Sequence, residues 1–331
     1  MQLVCPAGNL PSLKAAVDNG ADAVYIGFRD ATNARHFAGL NFNRKQIETG
    51  IRYARDRGVK VFVAINTFPY PTGLEKWHAA VDLAVDLGAD ALILADMGVM
   101  DYACEKHPET RLHLSVQGSD TSHSAIQFYV EHFNIRRAVI PRVLSLKQVE
   151  NLIAQSTIPI EVFGFGSLCV MVEGRCYLSS YVTGLGPNNF GACSPASHVR
   201  WTETVLGRET RLNGVLIDRV GADEAAGYPT VCKGRFKVNG ETGYAIEEPT
   251  SLNTLPILAD LHEIGVAAIK VEGRQRSPAY VAKISRLMRT AIDACLADPE
   301  QFLVDDSWMH ELSSLSEGTQ TTLGAYYRPW Q

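Results

Sequence analysis

The sequence has no excess of positive charge and no long hydrophobic run. Its 331 residues include 31 Lys and Arg against 36 Asp and Glu, a net charge of −5, and the pI is about 6.0. Nucleic-acid-binding proteins usually carry a basic surface, so this balance disfavours that class and leaves room only for a local basic groove. No apolar stretch approaches the ~20 residues of a membrane-spanning helix. We therefore expect no transmembrane segment.

Several sequence signals that would assign a function directly are also absent. The stretch MQLVCPAGN has neither the basic nor the apolar region of a signal peptide, so we expect a cytoplasmic protein. His262-Glu263 lacks a second histidine three residues further on, which excludes the helix of zinc proteases. The sequence contains no phosphate-binding P-loop and no G-x-S-x-G nucleophile elbow. Cytoplasmic thiols stay reduced, so clustered cysteines would indicate metal binding or catalysis before disulfides.

Short apolar runs alternate with amphipathic runs of helical spacing, which predicts a parallel sheet whose strands are covered on both faces. Seven such units in a row, with an eighth further along the chain, predict an α/β fold of the TIM-barrel-like (β/α)₈ type. An open doubly wound sheet is the alternative. The predicted strands are 3–7, 22–28, 60–66, 90–96, 111–117, 136–142, 158–166 and 267–274. The predicted helices are 9–20, 43–58, 74–88, 98–107, 121–133, 145–155, 251–265 and 277–298.

The connection after strand seven differs in texture from the rest of the chain. Residues 1–166 and 251–298 form the predicted barrel. Residues 167–250, rich in turn formers, predict a cysteine-rich inserted lid that is poor in strands and has one hairpin, at Asn239-Gly240. Residues 299–331 show no clear period, and we expect this C-terminal tail to pack on the barrel.

Four of the seven cysteines lie within this insert: Cys169, Cys176, Cys193 and Cys232. Such a set can bind zinc or an iron–sulfur cluster, although its spacings match neither a zinc ribbon nor a common ferredoxin. Unligated core thiols and a redox or nucleophilic cysteine are the alternatives. The others, Cys5, Cys104 and Cys295, fall on predicted strands and helices and are expected to be small buried residues.

The neighbours of the four thiols favour a cluster over zinc. Glycines would let the backbone approach sulfide closely, and cationic side chains would offset the charge of four thiolates. An exposed, solvated loop is the alternative interpretation of the cations. His198 is a further possible ligand, and an exposed loop histidine is the alternative interpretation of it. The glycines are Gly164, Gly166, Gly174 and Gly191, and the cations are Arg175, Lys233 and Arg235.

Polar residues follow several predicted strands on the side where barrel enzymes place their active sites. The motif EGR ends strand eight and also occurs at 173–175. These residues are candidates for substrate binding or catalysis, and an ion-pair network that closes the barrel mouth is the alternative. The candidates are Asn66, Asp96, Gln117, Arg142, Glu272 and Arg274.

The stretch EVFGFGSLCVMVEGRCYLS at 161–179 resembles the signature of peptidase family U32. The stretches CPAGNLPSLKAAVDNGADAVYIGF and KVEGRQRSPAYV are similar to other hallmarks of that family, so the resemblance covers nearly the whole chain. The signature positions met here are Glu161, Phe163, Gly166, Ser167, Cys169, Gly174, Cys176 and Ser179.

The resemblance implies a [4Fe–4S] cluster bound by Cys169, Cys176, Cys193 and Cys232. EEPTSLNTL and SEGTQTTLGAYYRPWQ are similar to the family branch that hydroxylates the ubiquinone ring precursor without O₂. That branch implies a heterodimer with a paralogue, UbiV, a lipid carrier, UbiT, and prephenate as hydroxyl donor. Four protein thiolates leave no vacant iron site, so electron transfer or a structural role is expected in place of Lewis-acid catalysis.

Other activities follow from the same resemblance. Some members hydroxylate bases of tRNA or ribosomal RNA, and the family name implies a collagenase-like peptidase. The sequence offers no nucleophile–base pair for a peptidase, and its pI near 6 ranks RNA below a quinone. A scaffold with a structural cluster is a further alternative.

Overall fold

Eight parallel strands close into a barrel in the computed structural model, which describes residues 1–224 and 226–328. Each strand pairs with the next, and the eighth pairs with both the first and the seventh. The predicted α/β, TIM-barrel-like fold is confirmed, and the closed strand order excludes the open doubly wound sheet. The barrel strands are β1 (Gln2–Pro6), β2 (Ala23–Gly27), β3 (Lys60–Ile65), β4 (Ala91–Leu94), β5 (Leu112–Leu114), β6 (Ile135–Val139), β7 (Ile160–Ser167) and β14 (Ala268–Val271).

Short polar side chains start most of the long helices that follow the strands. Asn9 accepts a hydrogen bond from the backbone N–H of Ser12 at 2.8 Å, and Ser277 accepts one from Tyr280 at 3.2 Å. These caps satisfy orphan donors of the first turn, so helix starts were readable from sequence. The helices of the described residues are α1 (Leu10–Asp18), α2 (Arg44–Arg55), α3 (Leu74–Asp86), α4 (Met97–Lys106), α5 (His123–Phe133), α6 (Leu146–Gln155), α7 (Leu178–Thr183), α8 (Leu258–Glu263), α9 (Pro278–Ala297) and α10 (Asp306–Leu315).

The barrel interior is filled and contains a buried ionic layer. Alternate strand residues such as Val4, Tyr25 and Phe62 form an inner apolar cluster, while the residues between them pack against the helices. Beside this cluster, Glu161 accepts a hydrogen bond from Lys270 Nζ at 2.8 Å and from Arg137 Nη1 at 3.1 Å. The interior is therefore a packed core, and a ligand has to bind at a mouth of the barrel.

The segment between β7 and β14 contains more β-structure than the sequence predicts. Its three-stranded antiparallel sheet makes the expectation of a strand-poor lid wrong. Its hydrophobic cluster has only three buried residues, Val199, Leu212 and Ile217, and the polar residues Glu209 and Thr210 are buried as well, so its strands carry no clear hydrophobic alternation. The predicted hairpin is confirmed, because Asn239 and Gly240 have φ values of 53° and 93° as a type I′ turn requires. The strands are β8 (Val199–Thr204), β9 (Gly207–Leu212), β10 (Val215–Val220), β11 (Arg235–Val238) and β12 (Glu241–Tyr244).

The predicted helix 251–265 begins as a strand. Residues of β13 (Ser251–Asn253) pair antiparallel with the end of β7 and parallel with β15 (Thr321–Thr322), and α8 starts only at Leu258. Backbone pairing with β7 thus overrides the amphipathic pattern at 251–253.

Part of the chain after α9 also lies on the barrel. α10 contacts α9, and Tyr326 is buried. Residue 225 of the predicted lid and residues 329–331 of the predicted tail lie outside the described residues. Among the described helices, none combines the length and the apolar character that a bilayer crossing demands.

Candidate functional site

The four clustered cysteines line one cavity, which we call the thiol cavity. Its other wall comes from loops that follow barrel strands and includes Arg35 after β2, Gln117 after β5 and Arg142 after β6. Cys169 is exposed, and the other three are half-buried. The fold therefore brings the thiols together at the carboxyl ends of the strands, where barrel enzymes carry their sites.

The three remaining cysteines lie elsewhere. Cys5 is fully buried between β1 and α9, and its sulfur accepts a hydrogen bond from Ser285 Oγ at 3.1 Å. Burial raises the pKa of the Cys5 thiol to about 12, so it stays protonated. Cys295 is buried on α9, whereas Cys104 is half-buried on α4 and donates to the carbonyl of Phe133 at 3.1 Å. None of the three reaches the thiol cavity.

Hydrogen bonds to backbone carbonyl groups connect the barrel with the loops that carry the thiols. Ser119 Oγ donates to the carbonyl of Glu173. The N–H of Phe68 donates to the carbonyl of Asn188 at 2.7 Å, and that of His36 to Gly191 at 3.0 Å. These bonds hold the cysteine loops over the barrel mouth.

Gly174 and Gly191 allow this close approach. A Cβ on Gly174 would lie 2.0 Å from the carbonyl oxygen of Gln117, and one on Gly191 would lie 2.2 Å from that of Asn33. Both have positive φ, at 78° and 84°. The sequence predicts that these glycines make room for sulfide, whereas the structure shows that they make room for barrel backbone.

Replacing Gly174 with alanine should loosen the cysteine loop. Gly184 has nearly the same φ, 75°, but open space around its Cβ position, so Gly184→Ala should cost only the left-handed strain of ~1 kcal/mol. Gly174→Ala adds an overlap with backbone, which we expect to lower the free energy of unfolding by a further ~1–3 kcal/mol. Urea unfolding of the two variants measures the difference. Equal losses would show that the loop does not depend on this contact.

Both EGR motifs converge on Arg142. Its Nε donates to Glu173 at 2.8 Å, and its Nη1 donates to Glu272 at 2.8 Å and to the carbonyl of Ser167 at 2.8 Å. Glu272 also binds Arg35. Of the six polar candidates, Arg142 and Glu272 take part in an ion-pair network, and two cations of this network, Arg35 and Arg142, line the thiol cavity.

Charge on this network is fixed near neutral pH. Burial alone would raise the pKa of Glu272, but Arg142 and Arg35 outweigh it and hold the pKa at about 2. Both guanidiniums remain charged, because the same carboxylate raises their pKa values. A fixed pair of cations therefore borders the thiols.

Three of the four thiols favour the protonated, neutral form. Loss of hydration raises the pKa of Cys169 and Cys232 to about 12 and also raises that of Cys193. Arg142 partly opposes this for Cys169, and Arg35 does so for Cys193. A bound cationic metal would replace the protons, since thiolates are the metal-binding form.

The donor set fits the iron–sulfur cluster that the resemblance implies. Four thiols share one cavity, and Arg35 and Arg142 would balance thiolate charge. Over residues 1–224 and 226–328, no three His, Cys, Asp or Glu side chains are arranged to hold a metal ion. Cubane sites use four cysteines spread around a multi-atom core, so four thiols that line a common cavity meet the requirement for such a site.

The other predicted candidates occupy different positions. Asn66 donates to Ser115 Oγ at 2.9 Å and accepts from the backbone of Ala34 at 3.0 Å. Asp96 caps α4 by accepting from Val99 N at 3.1 Å. Arg274 is buried and donates to Asn33 Oδ1 at 3.0 Å. Of the six candidates, Gln117 and Arg142 line the thiol cavity, and Glu272 positions its arginines.

The cations expected around the thiols are largely committed to other groups. Arg235 pairs with Asp218 and Glu224, and Lys233 pairs with Glu317 although its charge still acts on Cys232. His198 is half-buried, lies beside Ser197 and is not part of the cavity wall.

Two kinds of cavity residue were missed or undervalued by sequence reasoning. Arg35 lies eight positions beyond the end of β2, too far for a rule about strand ends. Asn188 was read as a turn former, and Ser179 only as a signature position. The sequence signal for these two was their place between the cysteines, on the loops that close the cavity.

Comparison with known proteins gives a consistent family. The profile of peptidase family U32 matches residues 8–329. The tRNA hydroxylation protein P1 of Bacillus subtilis (strain 168) is 29% identical over 324 residues, covering 97% of this chain and 70% of the relative. The tRNA hydroxylation protein P of Escherichia coli (strain K12) is 30% identical over 319 residues, covering 89% and 68%.

A relative that is named for a different activity is similar to this chain to about the same extent. The collagenase of Porphyromonas gingivalis is 29% identical over 304 residues, covering 88% of this chain and 66% of the relative. The chain thus spans 66–70% of the length of these three relatives.

Proposed function

The chain belongs to peptidase family U32, and from this premise we propose that it is the iron–sulfur subunit of an oxygen-independent hydroxylase acting on the ubiquinone ring precursor. The observation that supports the proposal is the thiol cavity, where four cysteines meet Arg35, Arg142 and Gln117 at the barrel mouth. Among the family's branches, the finer resemblance is to UbiU. We assign the protein to the cytoplasm on the same grounds.

The two segments that carry this finer resemblance are neighbours in space. Residues 247–255 include β13, and residues 316–331 include β15, which pairs with it. Ser167 Oγ at the end of β7 donates to Glu317 at 2.6 Å, and Gln320 donates to Glu248 at 3.1 Å. The described parts of the two segments that carry the finer resemblance thus meet beside the end of β7, which leads into the cysteine loop.

Cys169, Cys176, Cys193 and Cys232 would hold a [4Fe–4S] cluster, which supplies one-electron transfer when bound. Arg35 and Arg142 offset thiolate charge, and Glu272 with Glu173 holds the Arg142 guanidinium in place. The overall reaction balances if a ring C–H becomes C–OH while the C–OH of an organic donor becomes C–H. Prephenate is the donor that the family resemblance implies.

Partners follow from the same branch. We propose a heterodimer with UbiV and assistance from the lipid carrier UbiT, which would deliver a prenylated intermediate too apolar to diffuse freely in water. Co-purification of the tagged chain with UbiV under anaerobic conditions is the expected result. A stable homo-oligomer that excludes UbiV would contradict the heterodimer.

The protein purified without oxygen should be brown and contain about four irons and four sulfides per chain. A deletion strain should accumulate an unhydroxylated quinone intermediate only when it grows without O₂, because other hydroxylases act in air. Iron assays and quinone profiling in both growth conditions test these expectations. A colourless protein that holds one zinc, or a normal anaerobic quinone profile, would refute the proposal.

RNA-base hydroxylation is the second candidate function, favoured by the names of the Bacillus and Escherichia relatives. The acidic pI of about 6.0 argues against it. Mass spectrometry of tRNA and ribosomal RNA from the deletion strain separates the two functions. A base that is left unhydroxylated in this strain would show that the protein acts on RNA.

A collagenase-like peptidase is the third, and it rests on the family name and the Porphyromonas relative. Cleavage of collagen or casein by the pure chain, abolished by a single substitution, would support it. An activity that persists in every cysteine variant but is lost on further purification would assign it to a contaminant.

A further inference from the structure

Two polar side chains of the thiol cavity have no partner in the protein. The hydroxyl of Ser179 is buried without a hydrogen bond, and the residue is 3% exposed. The side-chain amide of Gln117, at 7% exposure, makes no hydrogen bond anywhere in the described chain. A buried donor that stays unsatisfied, as the Ser179 hydroxyl does, costs ~1–3 kcal/mol and indicates a missing acceptor, whereas the Gln117 amide is not fully buried.

Gln117 is placed against the cysteines by the backbone and not by its side chain. It lies in the 3₁₀ turn Val116–Gly118, where its N–H donates to Ser115 Oγ at 3.2 Å. Its carbonyl oxygen is the group against which Gly174 packs. The fold thus fixes the main chain of Gln117 beside the loop between Cys169 and Cys176, and Gln117 lines the cavity while its side-chain amide makes no hydrogen bond within the described residues.

Ser179 differs from its neighbour on α7 in a similar way. Ser180 is half-buried, and its hydroxyl donates to the carbonyl of Tyr177 at 2.9 Å. The Ser179 carbonyl accepts from Thr183 Oγ1 at 2.7 Å, but its hydroxyl makes no such bond. Only Ser179 lines the thiol cavity, three residues after Cys176.

We propose that Gln117 and Ser179 donate hydrogen bonds to sulfur atoms of the bound cluster, one from the barrel and one from the loops above it, and thereby set its reduction potential. This inference rests on the proposed function. The carboxylate of Glu173 is bound to Arg142, and the arginines of the wall only donate. Asn188 Oδ1 is a buried acceptor of the same wall without a hydrogen bond, and thiolate and sulfide are the acceptors that a bound cluster would add. Donors to sulfur stabilise the more negative reduced state, so they raise the potential.

The test uses Gln117→Leu and Ser179→Ala, with Gln127→Leu and Ser180→Ala as controls at half-buried positions outside the thiol cavity. Each full-length protein is purified anaerobically and assayed for iron. Its midpoint potential is then measured by a redox titration monitored by electron paramagnetic resonance. We expect full iron and a lower midpoint potential in the two cavity variants. A tenfold loss in preference for the reduced state corresponds to about 59 mV for one electron. Both controls should keep the wild-type potential.

A second measurement distinguishes the loss of one hydrogen bond from a general disturbance of the cavity. In deuterated buffer, the reduced wild-type cluster should show hyperfine couplings to exchangeable hydrogens, and each cavity variant should lose one of them. Unchanged potentials and couplings in variants with full iron would overturn the inference while leaving the proposed function intact. A wild-type protein that binds no cluster would refute the proposed function itself.

Discussion

Alanine in place of any one of Cys169, Cys176, Cys193 or Cys232 is expected to remove most of the iron from the protein. All four line the same cavity, and each would lose one of the four ligands of a cubane. Three thiolates seldom hold such a cluster in air, so iron and sulfide should fall far below wild type. Anaerobic ubiquinone synthesis should stop, while synthesis in air continues through other hydroxylases. Iron assays and quinone profiles of complemented strains measure both effects.

The barrel should survive this loss. Its strands and helices bury an extended apolar core that does not include the four cysteines, whereas the sheet β8–β10 is supported by a buried cluster of only three residues. Far-UV circular dichroism should therefore stay near wild type, and proteolysis should increase within residues 168–250. Metal binding is what would order this segment further.

The matched controls are Cys104→Ala and Cys295→Ala, which should keep both iron and activity because neither thiol reaches the cavity. One result would contradict the assignment of these four cysteines as cluster ligands. If Cys232→Ala retains a full cluster while Cys5→Ala or His198→Ala loses it, the cluster exists but its ligands are misassigned.

The barrel was predictable because local signals and tertiary packing agree there. Most barrel strands are largely apolar runs, and caps such as Asn9 and Ser277 mark helix starts in the sequence itself. Residues 251–253 show where this fails. Their helical period is real, yet pairing with β7 gives a strand, and no single-sequence pattern records backbone partners that lie 84 to 88 positions away.

The site was predictable only in part, for a related reason. Clustering along the chain was enough to group four cysteines, and the strand-end rule found Gln117 and Arg142. Neither signal reaches Arg35, whose place depends on how the loop after β2 folds over the barrel mouth. The glycines were recognised as close approaches, but which backbone they approach depends on loop docking, as Gly174 and Gln117 show.

Glu272→Gln is expected to destabilise the protein strongly and to remove a defined part of its pH dependence. Glu272 is the shared partner of Arg35 and Arg142, whose side chains are 26% and 7% exposed. Removing one charge from a buried network leaves the others uncompensated, which costs roughly 3–5 kcal/mol. Glu48→Gln is the matched control, because Glu48 pairs with Arg44 on an exposed helix face and should cost at most ~0.5 kcal/mol.

The sign of the pH effect follows from the direction of the shift. The pKa of Glu272 is lowered from 4.5 to about 2 in the folded protein, so its ion pairs contribute fully above pH ~4.5 and are lost as the pH falls toward 2. The linked contribution is roughly 3 kcal/mol at neutral pH. Urea unfolding of cluster-free wild type and Glu272→Gln should therefore give free energies that differ most at pH 7 and converge near pH 2–3. Other carboxylates titrate alike in both proteins and cancel in the difference. A gap that stays constant from pH 7 to pH 3 would mean that Glu272 is not the ionised centre of this network.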